Sequence, residues 1–500
     1  MPRTSPEPRT ALPAPARRTA APGPGAGTLA CCCLALAGLA AALVLTVRAG
    51  GTLGNPRPLY GWYLLDAALF AAAVLLLRRV PLGRARWLVP AGSVLLALTG
   101  LLAPPRTSDD AYRYVWDGQV QAAGISPYAY APDDPALAGL RADAPALFPA
   151  GGPCTSWDER RAAGGFCSHV NRPAVHTVYP PVAEAWFAGL YATTGGRLGV
   201  RAAQLGGALL AVGTTGALLS VLRRRSPERL WQAALWGWCP GVVVWAVNDA
   251  HVDTLGALLM VAALGVGVGR GVGPGAGAAQ RGRAVGGRAL LGAAIATKLL
   301  PALALPGLLS GALARRPADC PTGRDAWRGL RPALGALAAF VCCYLPYVFA
   351  SGTGVLGYLP GYLHEEGYDQ QHITRFALLR LLLPDHLAPY AAAVVLLAVV
   401  LYVLRAGDPQ RPWQGALLVT GSALLVTSPG YPWYGLLVVA LVALDGRWEW
   451  LAVPAAAQVV YLGHGQVLQG AYAAALALVL TAVVLRRSGN RPGGPHRPVL

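Results

Sequence analysis

The chain has 500 residues, 55% of them hydrophobic and only 13% charged, with a formal net charge of +18. A soluble chain carries about 25% charged residues, so an array of soluble domains is excluded. A disordered chain, which needs low hydrophobicity, and a collagen-like fibre, which needs a glycine period, are excluded too. Forty of the 41 basic residues are arginine, and the one lysine is Lys298. A bias this uniform makes the positive charge a poor argument for nucleic acid, and no nucleic-acid partner is expected.

The composition predicts an all-α, polytopic transmembrane bundle in a lipid bilayer, since about 20 apolar residues cross one. Residues 1–27, rich in Pro, Ala and Arg, read as a disordered cytoplasmic tail, and 28–485 as the membrane domain. Apolar stretches follow at 28–47, 59–77, 86–103, 199–222, 231–247, 252–269, 332–350, 388–404, 412–427, 433–445, 447–462 and 467–485. Stretches 180–195 and 288–311 are ambiguous, which gives about 12–14 membrane helices. The first span, behind its long leader, reads as an uncleaved anchor. Within the Gly-rich stretch 264–287, residues 270–287 read as a flexible cytoplasmic linker; no Gly-Lys-Ser/Thr marks a phosphate loop. Residues 486–500 form a second cytoplasmic tail.

Arginine collects on the cytoplasmic side of membrane proteins, so its distribution orients the spans. Arg78, Arg79, Arg84 and Arg86 form one basic turn, and Arg223, Arg224, Arg225 and Arg229 another. Arg281, Arg283 and Arg288, then Arg315 through Arg331, Arg405 with Arg411, and Arg486 with Arg487 complete the series. All share one face if 288–311 forms a hairpin and 180–195 does not reverse the chain. The protein is then a multi-pass plasma-membrane protein. Residues 104–178, 248–251, 351–374, 428–432 and 463–466 emerge on the opposite, extracytoplasmic face. Loops as long as 104–178 are usually functional or disordered, and the aromatic and turn residues of this one favour function.

That loop opens Ser108-Asp109-Asp110-Ala111-Tyr112-Arg113-Tyr114-Val115-Trp116-Asp117-Gly118. On a helix, Asp110, Arg113, Tyr114 and Asp117 share a face, and Asp109 reaches Arg113. One account is structural: Ser108 caps the helix and the acids complement its dipole. The other is chemical. A carboxylate can take a proton from an attacking hydroxyl, Arg can hold phosphate, and aromatic rings can stack on a sugar.

Asn248-Asp249-Ala250-His251, followed by Asp253, is a second cluster at a membrane boundary, either a hairpin cap or a site. Lys298 interrupts an apolar stretch, where a cation needs a partner or an interface. The string from His364 to His372 lacks the His-Glu-x-x-His pattern. No metal site is assigned and no cofactor is expected, although a divalent ion stays open. Trp433, in the run Ser428 through Tyr434, fits an interfacial anchor. Of nine cysteines, Cys154 and Cys167 lie in the outer loop, where a disulfide between them is permitted.

In this order, these motifs resemble the GT-C superfamily of integral-membrane glycosyltransferases, nearest to actinobacterial polyprenol-phosphate-mannose-dependent mannosyltransferases. The resemblance rests on Asp109 through Gly118, Gly124-Ile125-Ser126-Pro127-Tyr128, Val178-Tyr179-Pro180-Pro181, Asn248-Asp249, Thr297-Lys298-Leu299-Leu300-Pro301 and Ser428 through Tyr434. It covers most of residues 60–485; Ser126-Pro127-Tyr128 stands where the family has Asn-Pro-Tyr, and the stretch from Cys154 to Cys167 looks inserted.

The resemblance implies inverting transfer of a hexose, mannose, from a polyprenyl-phosphate donor to a glycan or glycolipid hydroxyl on the outer face. Asp110 is the implied general base, with Asp109 second. Arg113 and Lys298 are the implied donor-phosphate ligands. Tyr112, Tyr114, Trp116, Asp117, Tyr179, Asn248, Asp249, His251 and Trp433 are the implied substrate contacts. Asp110, Asn248, Lys298 and Trp433 should then converge on one cavity beside a lipid-accessible groove. The principal rival is a transporter or flippase of lipid-linked sugars, which would carry a midplane site and internal repeats.

Overall fold

The structure, a computed structural model, describes residues 24–149, 153–266, 278–314, 323–365, 367–368, 374–465 and 467–489. A chain this rich in Ala, Leu and Val satisfies its backbone within lipid by forming helices. Two long apolar helices come first, α1 (Pro24–Ala49) and α2 (Arg57–Leu77), followed by α3 (Leu82–Gly100). The outer loop holds α4 (Asp110–Ala122), the short α5 (Ala138–Ala142) and a small antiparallel hairpin, β1 (Arg160–Arg161) with β2 (Cys167–Ser168). Then come α6 (Pro181–Thr194), α7 (Val200–Arg225), α8 (Ala234–Gly237), α9 (Asp253–Val266) and α10 (Ala278–Thr297). The remainder is α11 (Leu305–Leu308), α12 (Gly323–Ser351), α13 (Leu359–Glu365), α14 (Ala388–Ala406), α15 (Pro412–Thr427), α16 (Leu436–Asp445), α17 (Ala452–Leu462) and α18 (Leu468–Gly489). The protein is thus an all-α polytopic helical protein.

The helix count differs from expectation. Among the described residues, six helices are long and apolar enough to cross a membrane: 27–49, 57–77, 200–225, 330–356, 385–406 and 468–488. A seventh results if 227–237 and 242–248, bent by 61° at their junction, are one span. A hydropathy window does not see such breaks. Pro240 interrupts one apolar stretch, and α9, α15, α16 and α17 are shorter than a full crossing.

The expected boundaries also move. The linker 270–287 is helical from Ala278, because Ala and Arg favour helix and Gly292 lets α10 meet α12 closely. A Cβ at Gly292 would overlap the Ala336 carbonyl. Residues 270–277 lie outside the described residues, as do 1–23 and 490–500. The expected tails are helical at 24–27 and 486–489.

Helix α16 is buried on every side and forms the axis of the main core, against α7, α8, α9 and α15. Helix α12, by contrast, packs mainly on α10 and fully buries few of its residues. The Arg-rich turns gather at one end: Arg78 lies over Trp231, Arg225 over Trp413, and Arg486 pairs with Glu449. Residues 50–55, 104–110, 248–253 and 461 meet at the other end.

Candidate active site

The acidic opening is held from beneath by the second polar cluster. The Asn248 amide donates to the carbonyls of Gly100, Ala103 and Pro104 at 3.0–3.2 Å. Asp249 Oδ1 accepts from the backbone N–H groups of Arg106 and Thr107, both at 3.1 Å, and Thr107 Oγ1 donates to Oδ2. Both residues are fully buried. They were expected to touch substrate; here they fasten the segment that delivers Asp109 and Asp110.

Helix α4 then turns most of the other expected site residues away. Arg113 donates to both oxygens of Asp117, at 2.9 and 3.1 Å, and both side chains are buried. Behind them Glu184 of α6 accepts from Thr177 Oγ1 at 2.7 Å and from the Gln121 amide at 3.0 Å. Burial and the neighbouring carboxyl push Glu184 well above its usual range, and burial pushes Asp117 up as well. Arg113 and Asp117, expected at the donor phosphate and the substrate, instead face inward as an i, i+4 pair because α6 covers that side. Tyr114 stacks on Phe187, 4.3 Å between ring centres, and Trp116 packs edge-on against Phe148. Tyr112 donates to Asp158 at 3.0 Å and stacks on His169.

What remains on the open side is the acidic pair. Ser108 Oγ accepts from the Asp110 N–H at 3.3 Å. Asp109 occupies the N-cap position but its side chain makes no capping bond. It turns outward instead, to Arg160 Nη2 at 3.1 Å and the Asn171 amide at 3.3 Å, and the same amide donates to Asp110. His251 Nδ1 lies 3.4 Å from Asp110 Oδ2, an approach too oblique for an aligned hydrogen bond. The His251 ring is fully buried and stacks on Trp433 at 3.8 Å.

These carboxyls are pushed in opposite directions. Burial, followed by the charge of Asp110, raises Asp109 to about 6, against the opposing influence of Arg160 and Asn171. Burial also disfavours charge on Asp110. Contact with His251 and the cations Lys298 and Arg172 outweighs it and holds Asp110 well below the usual carboxylate range.

Both acids line a cavity of about 690 Å³. Lys298 faces it from the end of α10, with Nζ 2.9 Å from Asp253 Oδ2 and 5.0 Å from the Tyr434 ring centre. Tyr179 and Trp433 are also on its wall, so Asp110, Lys298 and Trp433 converge as expected, with Asn248 beneath the floor. Away from the charges the wall is apolar: Leu300, Leu303, Tyr344, Leu356, Leu396 and Leu424, drawn from α12, α14, α15 and adjoining turns.

Arg160, Asn171 and Arg172, which no sequence motif singled out, are also on the wall, as is Tyr431 of the Ser428–Tyr434 run. Arg172 donates to Glu365 at 2.7 Å and lies over Tyr362. Arg160 and Arg172 carry no sequence signal of their own, because the same loop also holds Arg106, Arg113, Arg141 and Arg161. Cys154 and Cys167 are bonded. Among the described residues, no group of three or more His, Cys, Asp or Glu side chains is arranged to hold a metal ion. Compared with protein-family models, curated proteins and solved structures, the chain matches none.

Proposed function

We propose that the chain is a membrane glycosyltransferase that moves a hexose from a polyprenyl-phosphate donor to a hydroxyl of a cell-envelope glycan or glycolipid, with inversion, on the outer face of the plasma membrane. One observation carries this reading: one cavity joins a carboxylate pair, a lysine and two arginines to a long apolar wall. The mannose donor follows from the resemblance of the motifs alone.

The chemistry divides between the two acids. A proton acceptor works best with a pKa near the working pH, which favours Asp109; this reverses the order that the motif suggests. The acceptor oxygen bonds to the anomeric carbon, its proton passes to Asp109, and the bond from that carbon to the phosphate oxygen breaks. Asp110, held ionised, offsets positive charge that develops on the sugar ring. The leaving polyprenyl phosphate needs cations more than a proton. Lys298 and Arg172 supply them, in place of the buried Arg113. The isoprenoid chain takes the apolar wall toward α12 and α14.

The test is transfer from polyprenyl-phospho-mannose to endogenous acceptors in membranes carrying the wild type, Asp109→Asn or Asp110→Asn. Loss in both variants is expected; undiminished transfer in both contradicts the assignment.

A further inference from the structure

The inserted stretch is a clamp on the first turn of α4. Strand β1 pairs with β2 through Arg160 opposite Ser168 and Arg161 opposite Cys167, and the disulfide ties Cys154 to the same strand. Inside that ring, Glu159 accepts from the backbone N–H groups of Thr155 and Ser156 at 2.8 and 3.0 Å. Two side chains then reach α4 one turn apart. Asp158 accepts from Tyr112 Oη at 3.0 Å, and Arg160 Nη2 donates to Asp109 Oδ2 at 3.1 Å. Nη1 of Arg160 donates to the carbonyls of Trp157 and Glu159, at 2.8 and 3.0 Å. The arginine is thus aimed by its own hairpin before it meets the carboxylate.

We propose that Arg160 is a positioning residue for Asp109, and that the Cys154–Cys167 disulfide keeps it there. The proposal rests on the transferase reading and adds a residue and a covalent bond to it. Other groups around Asp109 are Asp110 and Tyr112 on its own helix, Asn171 in the bend after β2, and Tyr461 from α17. Among these, Arg160 is the cation in direct contact. Its removal leaves the negative charge of Asp110 less opposed, so Asp109 holds its proton to higher pH.

Three variants test this: Arg160→Gln, Arg160→Lys and the pair Cys154→Ser with Cys167→Ser. The readout is the acid limb of the pH profile for sugar transfer. Because Arg160 is 43% exposed, the expected upward movement in Arg160→Gln is about 0.5–1 pH unit. That is about a threefold loss at pH 6 with little change at pH 8. Arg160→Lys should restore most of the limb, and the cysteine pair should move it in the same direction as Arg160→Gln. An unmoved limb in Arg160→Gln overturns the positioning role; an unmoved limb in the cysteine pair alone overturns the role of the disulfide. Infrared titration of the purified protein, with Asp109→Asn subtracted, reads the same carboxyl without turnover. If the wild type transfers no sugar, the transferase reading fails, and the shift or constancy of that carboxyl band in Arg160→Gln still decides the contact.

Discussion

Lys298→Met separates the pairing of this ammonium with Asp253 from its proposed hold on the donor phosphate. Its Nζ sits 2.9 Å from Asp253 Oδ2, and Asp253 is buried while Lys298 is 20% exposed. Breaking a fully buried pair costs about 3–5 kcal/mol because the survivor is left uncompensated. Solvent access to Lys298 lowers that to about 2–3 kcal/mol. Losing a charged hydrogen bond to the donor phosphate costs about 1.5–3 kcal/mol more in the transition state, roughly a 10- to 150-fold fall in kcat/KM for the donor. Thermal unfolding in detergent reads the first effect, and transfer kinetics read the second. Adding Asp253→Asn removes the stranded carboxylate, so the double variant should regain stability and stay deficient in transfer. If the double variant regains transfer along with stability, Lys298 only neutralises Asp253 and the phosphate assignment is refuted.

Transfer should fall as pH drops through about 6, because Asp109 must be ionised to take a proton and protonates there. Asp109→Asn should lower the rate about 10²- to 10⁴-fold and abolish that limb; Asp110→Asn should move the limb downward, since the Asp110 charge helps raise Asp109. Initial rates from pH 5 to 8 check both. Asp249→Ala leaves two backbone N–H groups and the Thr107 hydroxyl without their acceptor. It should reduce kcat and cost about 2–5 kcal/mol of stability, with donor KM little changed; a rise in KM alone would mean direct donor contact. Arg113→Met strands Asp117 beside Glu184 and should destabilise by about 3–5 kcal/mol. Donor KM in the folded fraction should stay at the wild-type value, which substrate-saturation curves will show.

The parts of the site that were legible in sequence are those where a residue breaks the local pattern. Lys298 stood out in an arginine-only chain, and the Asp109-Asp110 pair stood out at the start of an aromatic run. Arg113 carried the same chemistry on paper, but its i+4 partner and the helix covering that side decide where it points, and α6 comes from over sixty residues downstream. Asn248 and Asp249 read equally as site or as cap; only their long-range partners at Gly100 through Thr107 distinguish the two. Arg160 and Arg172 reach the cavity through a hairpin and a turn that carry no periodic signal. For the fold, composition established a helical membrane protein. The number of full-length crossings depended on breaks such as Pro240, which leave average hydropathy unchanged.

Transfer of a sugar between a lipid phosphate and a hydroxyl in this cavity can be followed without a cell. Its most direct test uses purified protein in bilayer vesicles with labelled polyprenyl-phospho-mannose and a glycan acceptor. A transferase yields labelled glycan and free polyprenyl phosphate from the wild type, and neither from the variant carrying both Asp109→Asn and Asp110→Asn. Intact donor that crosses the bilayer without forming product would contradict transfer and make the protein a carrier.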